Sequence, residues 1–119
     1  MSNADPTGQE TPSGDALLRT LLALANPLRL RILAALAGRR EYVSELARQI
    51  GISRPLLHMH LRRLEAAGLV VSELELSPEG KAMKYYQIAP FDIRLTPAQI
   101  AEAVQTLTEA TSGEERIDG

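Results

Sequence analysis

Residues 44–69 constrain the fold of this chain more than any other segment. They read SELARQIGISRPLLHMHLRRLEAAGL, and their leucine, isoleucine and alanine residues recur at the three- and four-residue spacings of amphipathic helices. Gly51 interrupts this pattern, while Ser53 and Gly68 are residues that typically begin and end helices. The segment therefore predicts two short helices joined by a tight turn, a helix-turn-helix.

The second helix of this motif is predicted to run from about Arg54 to Ala67. Pro55 is compatible with that helix, because proline is tolerated in the first turn. The stripe of side chains that the helix is predicted to bury comprises Ile52, Leu57, Leu61 and Leu64.

Two more helices are predicted before the motif. Asp15 is suited to cap a first helix that runs to about Ala25. Asn26 is suited to cap a second, which a left-handed Gly38 would end. Ser44 is the predicted cap of the third helix, which is the first helix of the motif.

After the motif the pattern changes from helical to extended. Residues 69–76 and 83–88 are the predicted strands of a hairpin, and the Ser-Pro-Glu-Gly sequence at 77–80 is a turn signal between them. A last helix is predicted to open at Thr96-Pro97. The predicted fold is therefore mainly α with a small β-hairpin, in the order α-α-α-α-β-β-α, which is a winged helix-turn-helix.

A length of 119 residues suits one domain with one core. We predict this domain at 15–109, with polar, disordered tails at 1–14 and 110–119. The chain has no cysteine, which excludes disulfides and thiolate metal sites. It has no apolar run near the roughly 20 residues of a membrane helix and no signal-peptide pattern. These features predict a soluble, cytoplasmic protein with no membrane association.

The net charge of −2 conceals a basic segment. Between Leu28 and Leu64 there are eight arginines and two glutamates, a net charge of +6, whereas most other acidic residues lie near the ends. A helix-turn-helix with a basic surface is typical of proteins that bind double-stranded DNA. We predict double-stranded DNA as the partner, and an arginine-rich solvated surface is the alternative.

Residues on and near the second helix of the motif are the predicted DNA contacts. Arg54 lies at the helix start, where the helix dipole disfavours a cation, so a DNA partner explains it better than folding does. His58 falls outside the leucine stripe and is predicted to face the groove, whereas His60 could be partly packed. The full predicted set is Ser53, Arg54, Pro55, His58, His60, Arg62, Arg63, Lys81 and Lys84.

Several of these residues have a second interpretation. Ser53 caps the helix whether or not it also contacts a phosphate. Arg62 and Arg63 lie near the helix end, where cations stabilise the helix itself. Lys81 and Lys84 lie in or beside the predicted wing, where contact with phosphate or the minor groove competes with plain solvation.

The first and last predicted helices carry more large aliphatic residues than a small core hides. A dimer interface is one explanation, and internal packing of the two helices is the other. The predicted interface residues are Leu17, Leu21, Leu24, Ile100, Val104 and Leu107.

The chain resembles the ArsR-type winged helix-turn-helix regulators over roughly residues 16–107. The matching segments are ALANPLRLRIL at 23–33, SELA at 44–47, GIS at 51–53 and LRRLEAAGLV at 61–70. The resemblance implies a homodimer whose subunits pair through their first and last helices. The second helix of the motif in each subunit would then lie on the same face of the DNA. We predict a sequence-specific repressor of a pseudo-palindromic operator. A winged-helix module that binds proteins instead of DNA is the alternative.

The sequence departs from this family where its members bind metal. They often carry a Cys-Val-Cys motif before the third helix, where this chain has Tyr42-Val43-Ser44. Their other site uses histidines and carboxylates of the final helix, where this chain has Glu102 and Glu109 but no histidine. His58 and His60 are two residues apart and do not face each other on a helix. We predict no metal site.

Neither a cofactor nor catalysis is predicted. The chain lacks a cysteine nucleophile, a recognisable serine–histidine–aspartate motif and a glycine-rich phosphate loop. An unidentified small-molecule effector stays open, with the surroundings of Tyr85, Tyr86 and Phe91 as its predicted place. The alternatives are that these rings hold the wing to the domain, or that the regulator has no ligand.

Overall fold

The computed structural model describes residues 12–108. Over that range the elements are α1 (Gly14–Leu24), α2 (Pro27–Leu36), β1 (Glu41–Tyr42), α3 (Val43–Ile50), α4 (Arg54–Ala66), β2 (Val70–Leu76), β3 (Ala82–Ile88) and α5 (Pro97–Val104). The predicted winged helix-turn-helix is confirmed, with the short strand β1 added. The predicted tails lie outside the described residues, except for 12–14. No helix within 12–108 is long and apolar enough to cross a membrane.

Three helices begin at the caps that the sequence predicts. The Asn26 side chain accepts hydrogen bonds from the Leu28 and Arg29 amides, at 2.8 and 3.1 Å, and opens α2. The Ser53 hydroxyl accepts from the Leu56 amide at 3.2 Å and opens α4. Thr96 opens α5 with its side chain as N-cap. These bonds satisfy amides that lack partners in the first helical turn.

Helix α1 begins one residue before the predicted cap, Asp15, so that prediction is wrong. The hydroxyl of Ser13 accepts a hydrogen bond from the Ala16 amide at 3.1 Å and occupies the capping position. The Asp15 carboxylate instead accepts from the Thr108 amide at 3.0 Å. Asp15 therefore accepts a hydrogen bond from a residue 93 positions later in the chain and not from the first turn of its own helix.

The predictions for Ser44 and Gly38 are also wrong. Helix α3 starts at Val43 with extended Tyr42 as its N-cap and without a side-chain capping bond, because β1 runs directly into the helix. Helix α2 ends with Ala37 in a right-handed conformation, and Gly38 does not have a positive φ. Gly51 does end α3 in the left-handed conformation, with a φ of 82°.

The three strands form an antiparallel sheet in the order β1-β3-β2. Tyr42 of β1 pairs with Tyr85 of β3, and Ser72 of β2 pairs with Tyr86. The predicted turn closes the β2–β3 hairpin through a hydrogen bond of 2.8 Å from the Gly80 amide to the Ser77 carbonyl. This hairpin is the wing.

Residues 20–92 form one compact unit that contains the helix-turn-helix and the sheet. The predicted stripe of α4 is confirmed, because Leu57, Leu61 and Leu64 are fully buried and Ile52 packs against the same core. The other large core residues of this unit are Ile32, Leu33, Leu36, Leu46, Leu69, Val70 and Tyr86.

The described ends of the chain, 12–19 and 93–108, belong to a second compact unit. In it the Gly14 amide donates to the Thr106 hydroxyl at 2.7 Å. A Cβ at Gly14 would lie 2.4 Å from the Ala103 carbonyl oxygen, so only glycine allows this close approach. Leu107 lies beyond the end of α5, and its predicted place on that helix is wrong.

Candidate nucleic-acid interface

Helix α4 presents a polar and basic face opposite its buried leucines. Arg54, Arg62 and Arg63 are exposed and His58 is half-buried. Arg54, His58 and Arg62 are four residues apart in turn, so they share one side of the helix. Ser53 and Pro55, at its first turn, are also exposed. The structure thus brings these predicted contacts together on one helix.

The three exposed arginines of α4 have no charge partner among the residues that the structure describes. Arg54, Arg62 and Arg63 form no ion pair with any residue from 12 to 108. By contrast, Arg39 pairs with Glu41, Arg40 with Glu75 and Arg48 with Glu45. The exposed face of α4 therefore carries positive charge that no acidic side chain among residues 12–108 neutralises.

His60, a predicted DNA contact that could also be partly packed, lies in the interior. The His60 side chain is buried, and its Nδ1 lies 3.1 Å from Nη1 of Arg29. The position belongs to the buried stripe, since it follows Leu57 by three residues and precedes Leu64 by four. Because arginine has donors only, Nδ1 must accept this hydrogen bond.

Arg29 is itself buried and connects three parts of the unit. Besides His60, it contacts the backbone at the end of α1, donating from Nε to the Ala23 carbonyl at 2.7 Å and from Nη2 to the Leu22 carbonyl at 3.4 Å. Burial lowers the pKa of His60, and the charges of Arg29 and Arg63 lower it further. A neutral His60 is the form that can accept from Arg29. The sequence analysis missed this role of Arg29.

A second cluster, also missed, joins β1 to the wing. The Arg40 guanidinium lies 3.9 Å from the centre of the Tyr85 ring, and Tyr42 meets that ring edge-on at 5.9 Å. Glu75 accepts hydrogen bonds from the Tyr42 hydroxyl at 2.5 Å and from Arg40 at 3.2 Å. The bond from Tyr42 lowers the pKa of Glu75 and raises the pKa of Tyr42 itself.

The aromatic residue that contacts Tyr85 is therefore not one of the other two in the predicted group, Tyr86 and Phe91. Tyr86 is part of the buried core, whereas Phe91 is exposed. The ring that meets Tyr85 is that of Tyr42. The contact depends on the pairing of β1 with β3, which the sequence did not predict.

The two wing lysines lie at the surface. Lys81 follows the turn, and Lys84 lies on β3 with its Nζ 5.5 Å from the centre of the Tyr86 ring. Neither lysine forms an ion pair with a residue of the described chain. Both are free to meet an anionic partner.

The predicted dimer residues differ in exposure. Ile100, Val104 and Leu107 are exposed, whereas Leu17, Leu21 and Leu24 are half-buried. The most exposed leucines of α1 are instead Leu18 and Leu22, which were not in the predicted set.

A basic helix-turn-helix followed by a two-stranded wing defines a winged helix-turn-helix domain, a class of DNA-binding protein. A family model described as "Bacterial regulatory protein, arsR family" matches residues 26–72. An uncharacterised HTH-type transcriptional regulator from Methanocaldococcus jannaschii is 41% identical over 69 residues, which are 58% of this chain and 72% of that protein. The chain belongs to the ArsR family of transcriptional regulators.

Two solved structures of the same Mycobacterium bovis protein fragment are similar to this chain. The crystal structure of a fragment of a possible transcriptional regulatory protein is 33% identical, with a TM-score of 0.57, over 64% of this chain and 76% of that one. The solution structure of a homodimeric winged helix-turn-helix DNA-binding domain, from a possible ArsR-family regulator, is 25% identical, with a TM-score of 0.54. That match covers 86% of this chain and 82% of the other.

Proposed function

We propose that this protein is a homodimeric repressor that binds a pseudo-palindromic operator and inserts α4 of each subunit into the major groove. The observation that carries the proposal is the charge of α4, where Arg54, Arg62 and Arg63 lack an ion-pair partner within residues 12–108. A helix of this kind is suited to bind phosphates and to read guanine through arginine. We propose that the protein acts in the cytoplasm and catalyses no reaction. It would repress transcription by occupying the operator and so excluding other proteins from it.

Two further observations support a dimer. The similar Mycobacterium bovis domain is homodimeric. In this chain, Ile100 and Val104 are four residues apart on α5, so they share one side of that helix, and both are exposed. A two-fold dimer would present two copies of α4 to two half-sites, which is why we propose a pseudo-palindromic operator.

Replacing Arg54 tests the reading of DNA by α4. We expect Arg54→Ala to weaken binding to a duplex enriched from a random pool by about 30-fold or more, because the dimer loses one arginine–guanine contact in each half-site and each contact is worth about 1–3 kcal/mol. Arg94→Ala is the control, since it removes an exposed arginine outside the motif. Fluorescence anisotropy titrations measure both. Equal affinities for Arg54→Ala and the wild type would refute this role of Arg54.

The salt dependence of binding tests the phosphate contacts. We expect the logarithm of the association constant to fall linearly with the logarithm of salt concentration, by about 0.9 per neutralised phosphate. The Arg62→Ala/Arg63→Ala variant should have a shallower slope. If the wild type binds no duplex at low salt, the DNA-binding proposal fails, and a protein-binding winged helix becomes the better hypothesis.

Metal ions should not release the proposed operator complex. Among residues 12–108, no three histidine or acidic side chains form a group that could hold a metal ion. We expect zinc, cadmium and arsenite to leave the anisotropy of the complex unchanged at low micromolar concentration. Release that His58→Asn abolishes would show that a histidine of α4 takes part in metal sensing.

A further inference from the structure

Two buried polar side chains, Arg29 of α2 and His60 of α4, connect the proposed DNA-binding helix to the rest of its compact unit. Neither is exposed to the DNA that α4 is proposed to bind. Burying a charged group is costly even where it is hydrogen-bonded, and an aliphatic residue at position 60 would avoid that cost. The pair is therefore a candidate for a role other than packing.

The guanidinium of Arg29 links the end of α1 to the middle of α4. Its bonds to the carbonyl oxygens of Leu22 and Ala23 hold it to α1, and its Nη1 lies 3.1 Å from Nδ1 of His60. The buried leucines of α4 pack without a required direction, whereas a hydrogen bond needs a defined one. This contact therefore restricts both the position of α4 and its rotation about its own axis.

The rotation of α4 determines where its DNA-facing side chains lie. Arg54, His58 and Arg62 share one side of the helix, and His60 lies between them in sequence but points into the core. Side chains that read base edges must be held within about 0.5 Å of the productive geometry. A change at the buried contact of His60 would thus move all three side chains together.

The charged groups of the described chain that face His60 are both cations. Arg29 approaches from α2, and Arg63 belongs to α4 itself. His60 forms no ion pair with a carboxylate of the described chain. Glu65 of α4 is exposed and accepts a hydrogen bond from the Ser72 hydroxyl at 3.2 Å. A proton on His60 would therefore have no counter-ion beside it.

We propose that Arg29 and His60 are positioning residues that hold α4 in its DNA-binding place, and that a proton on His60 breaks their contact and weakens DNA binding. The inference rests on the proposed function of α4. A neutral Nδ1 accepts the hydrogen bond from Arg29, whereas a protonated imidazole has two donors and no acceptor. The bond that restricts α4 would then be lost. By linkage, binding to DNA would release the proton from His60.

The two histidines of the chain should respond to pH in opposite directions. Burial and the two facing cations lower the pKa of His60 below its ordinary value of about 6.5. Affinity should therefore be constant with respect to His60 at neutral pH and fall as the pH drops through its folded pKa. His58 lies on the DNA-facing side, where a proton would strengthen attraction to phosphates. Since the chain has two histidines, substitution of His58 isolates the effect of His60.

The test uses the His58→Asn variant, in which His60 is the single histidine. An NMR titration of its ring protons gives the pH at which half of the His60 side chains are protonated. Fluorescence anisotropy with a duplex enriched from a random pool gives the affinity from about pH 7.5 to 5. At the NMR midpoint we expect binding about 4-fold weaker than at neutral pH, because one quarter of the dimers would have both subunits in the competent state.

His58→Asn/His60→Asn is the matched control. The asparagine oxygen at position 60 is an acceptor for Arg29 but does not titrate. The affinity of this double variant should therefore stay constant across the same pH range. A purely structural role of His60 would change stability without producing a fall in affinity at the NMR midpoint. Circular dichroism at each pH verifies that the proteins are folded.

The outcomes separate this inference from the proposed function. Equal pH dependence of affinity in the His58→Asn and double variants would overturn the inference alone. So would a His60 ring that does not titrate in the folded protein, or a loss of affinity that coincides with unfolding. If the wild type binds but His58→Asn does not, the wild type and His60→Asn supply the same comparison. If the wild type binds no duplex at neutral pH, the proposed function fails and the inference fails with it.

Discussion

Replacing Ile100 and Val104 with glutamate should convert the protein to a monomer and weaken operator binding by about 100-fold or more. The two side chains are 45% and 54% exposed, so glutamates there should leave the fold intact while placing charges in the proposed interface. The loss is large because one subunit bound at a half-site raises the effective concentration of its partner at the other. Sedimentation equilibrium measures the association, and anisotropy with a two-half-site duplex measures the affinity.

A control separates the interface from the general effect of added charge. Leu30 of α2 is also a half-exposed aliphatic residue, but it lies outside the predicted interface. Leu30→Glu should remain dimeric and bind the operator normally. On a duplex with a single half-site, the wild type and the Ile100→Glu/Val104→Glu variant should bind similarly. A wild type that sediments as a monomer at micromolar concentration would contradict the dimer.

The parts of the fold that depend on local chemistry could be predicted from the sequence. A cap needs a side-chain acceptor two or three residues before a free amide, and Asn26, Ser53 and Thr96 all meet that condition. The leucine spacing of α4 likewise placed Leu57 and Leu64 correctly in the core. These features depend on neighbours within one or two helical turns.

The errors arose where a distant residue decides the outcome. β1 forms only because Tyr42 pairs with Tyr85 of β3, and a two-residue strand has no periodicity to detect. Asp15 lost its capping role to a partner near the other end of the described chain. His60 has the helical spacing of the buried stripe, but that spacing does not show which group would pair with a buried imidazole. His60 is accommodated there because Arg29, 31 residues earlier, supplies a donor.

Arg29→Ala should have the largest effect on stability among the polar substitutions considered, lowering the free energy of unfolding by about 3 kcal/mol. It would leave the Ala23 carbonyl and His60 Nδ1 without their donor, and a buried polar group that loses its partner costs about 1–3 kcal/mol. His60→Ala should cost less, because Arg29 retains its bonds to the backbone of α1. Urea unfolding of both single variants and the double variant measures their coupling, which should be about 0.5–3 kcal/mol. Additive effects would show that the contact contributes nothing.

The same contact should make stability depend on pH in a defined direction. The pKa of His60 is lower in the folded protein than its ordinary value of about 6.5, so the unfolded chain binds the proton more readily. Stability is therefore constant with respect to this group above about pH 6.5 and falls as the pH drops toward the folded pKa, by up to about 1.4 kcal/mol per pH unit. Protonation of Nδ1 also removes the acceptor that Arg29 requires, and the new cation would face Arg29 and Arg63.

His60→Asn should abolish the part of the pH dependence of stability that comes from His60. His58 is present in both proteins, so its contribution cancels. Equal slopes of unfolding free energy against pH in the two proteins, between pH 5 and 6.5, would show that His60 is protonated as easily in the folded state as in the unfolded chain.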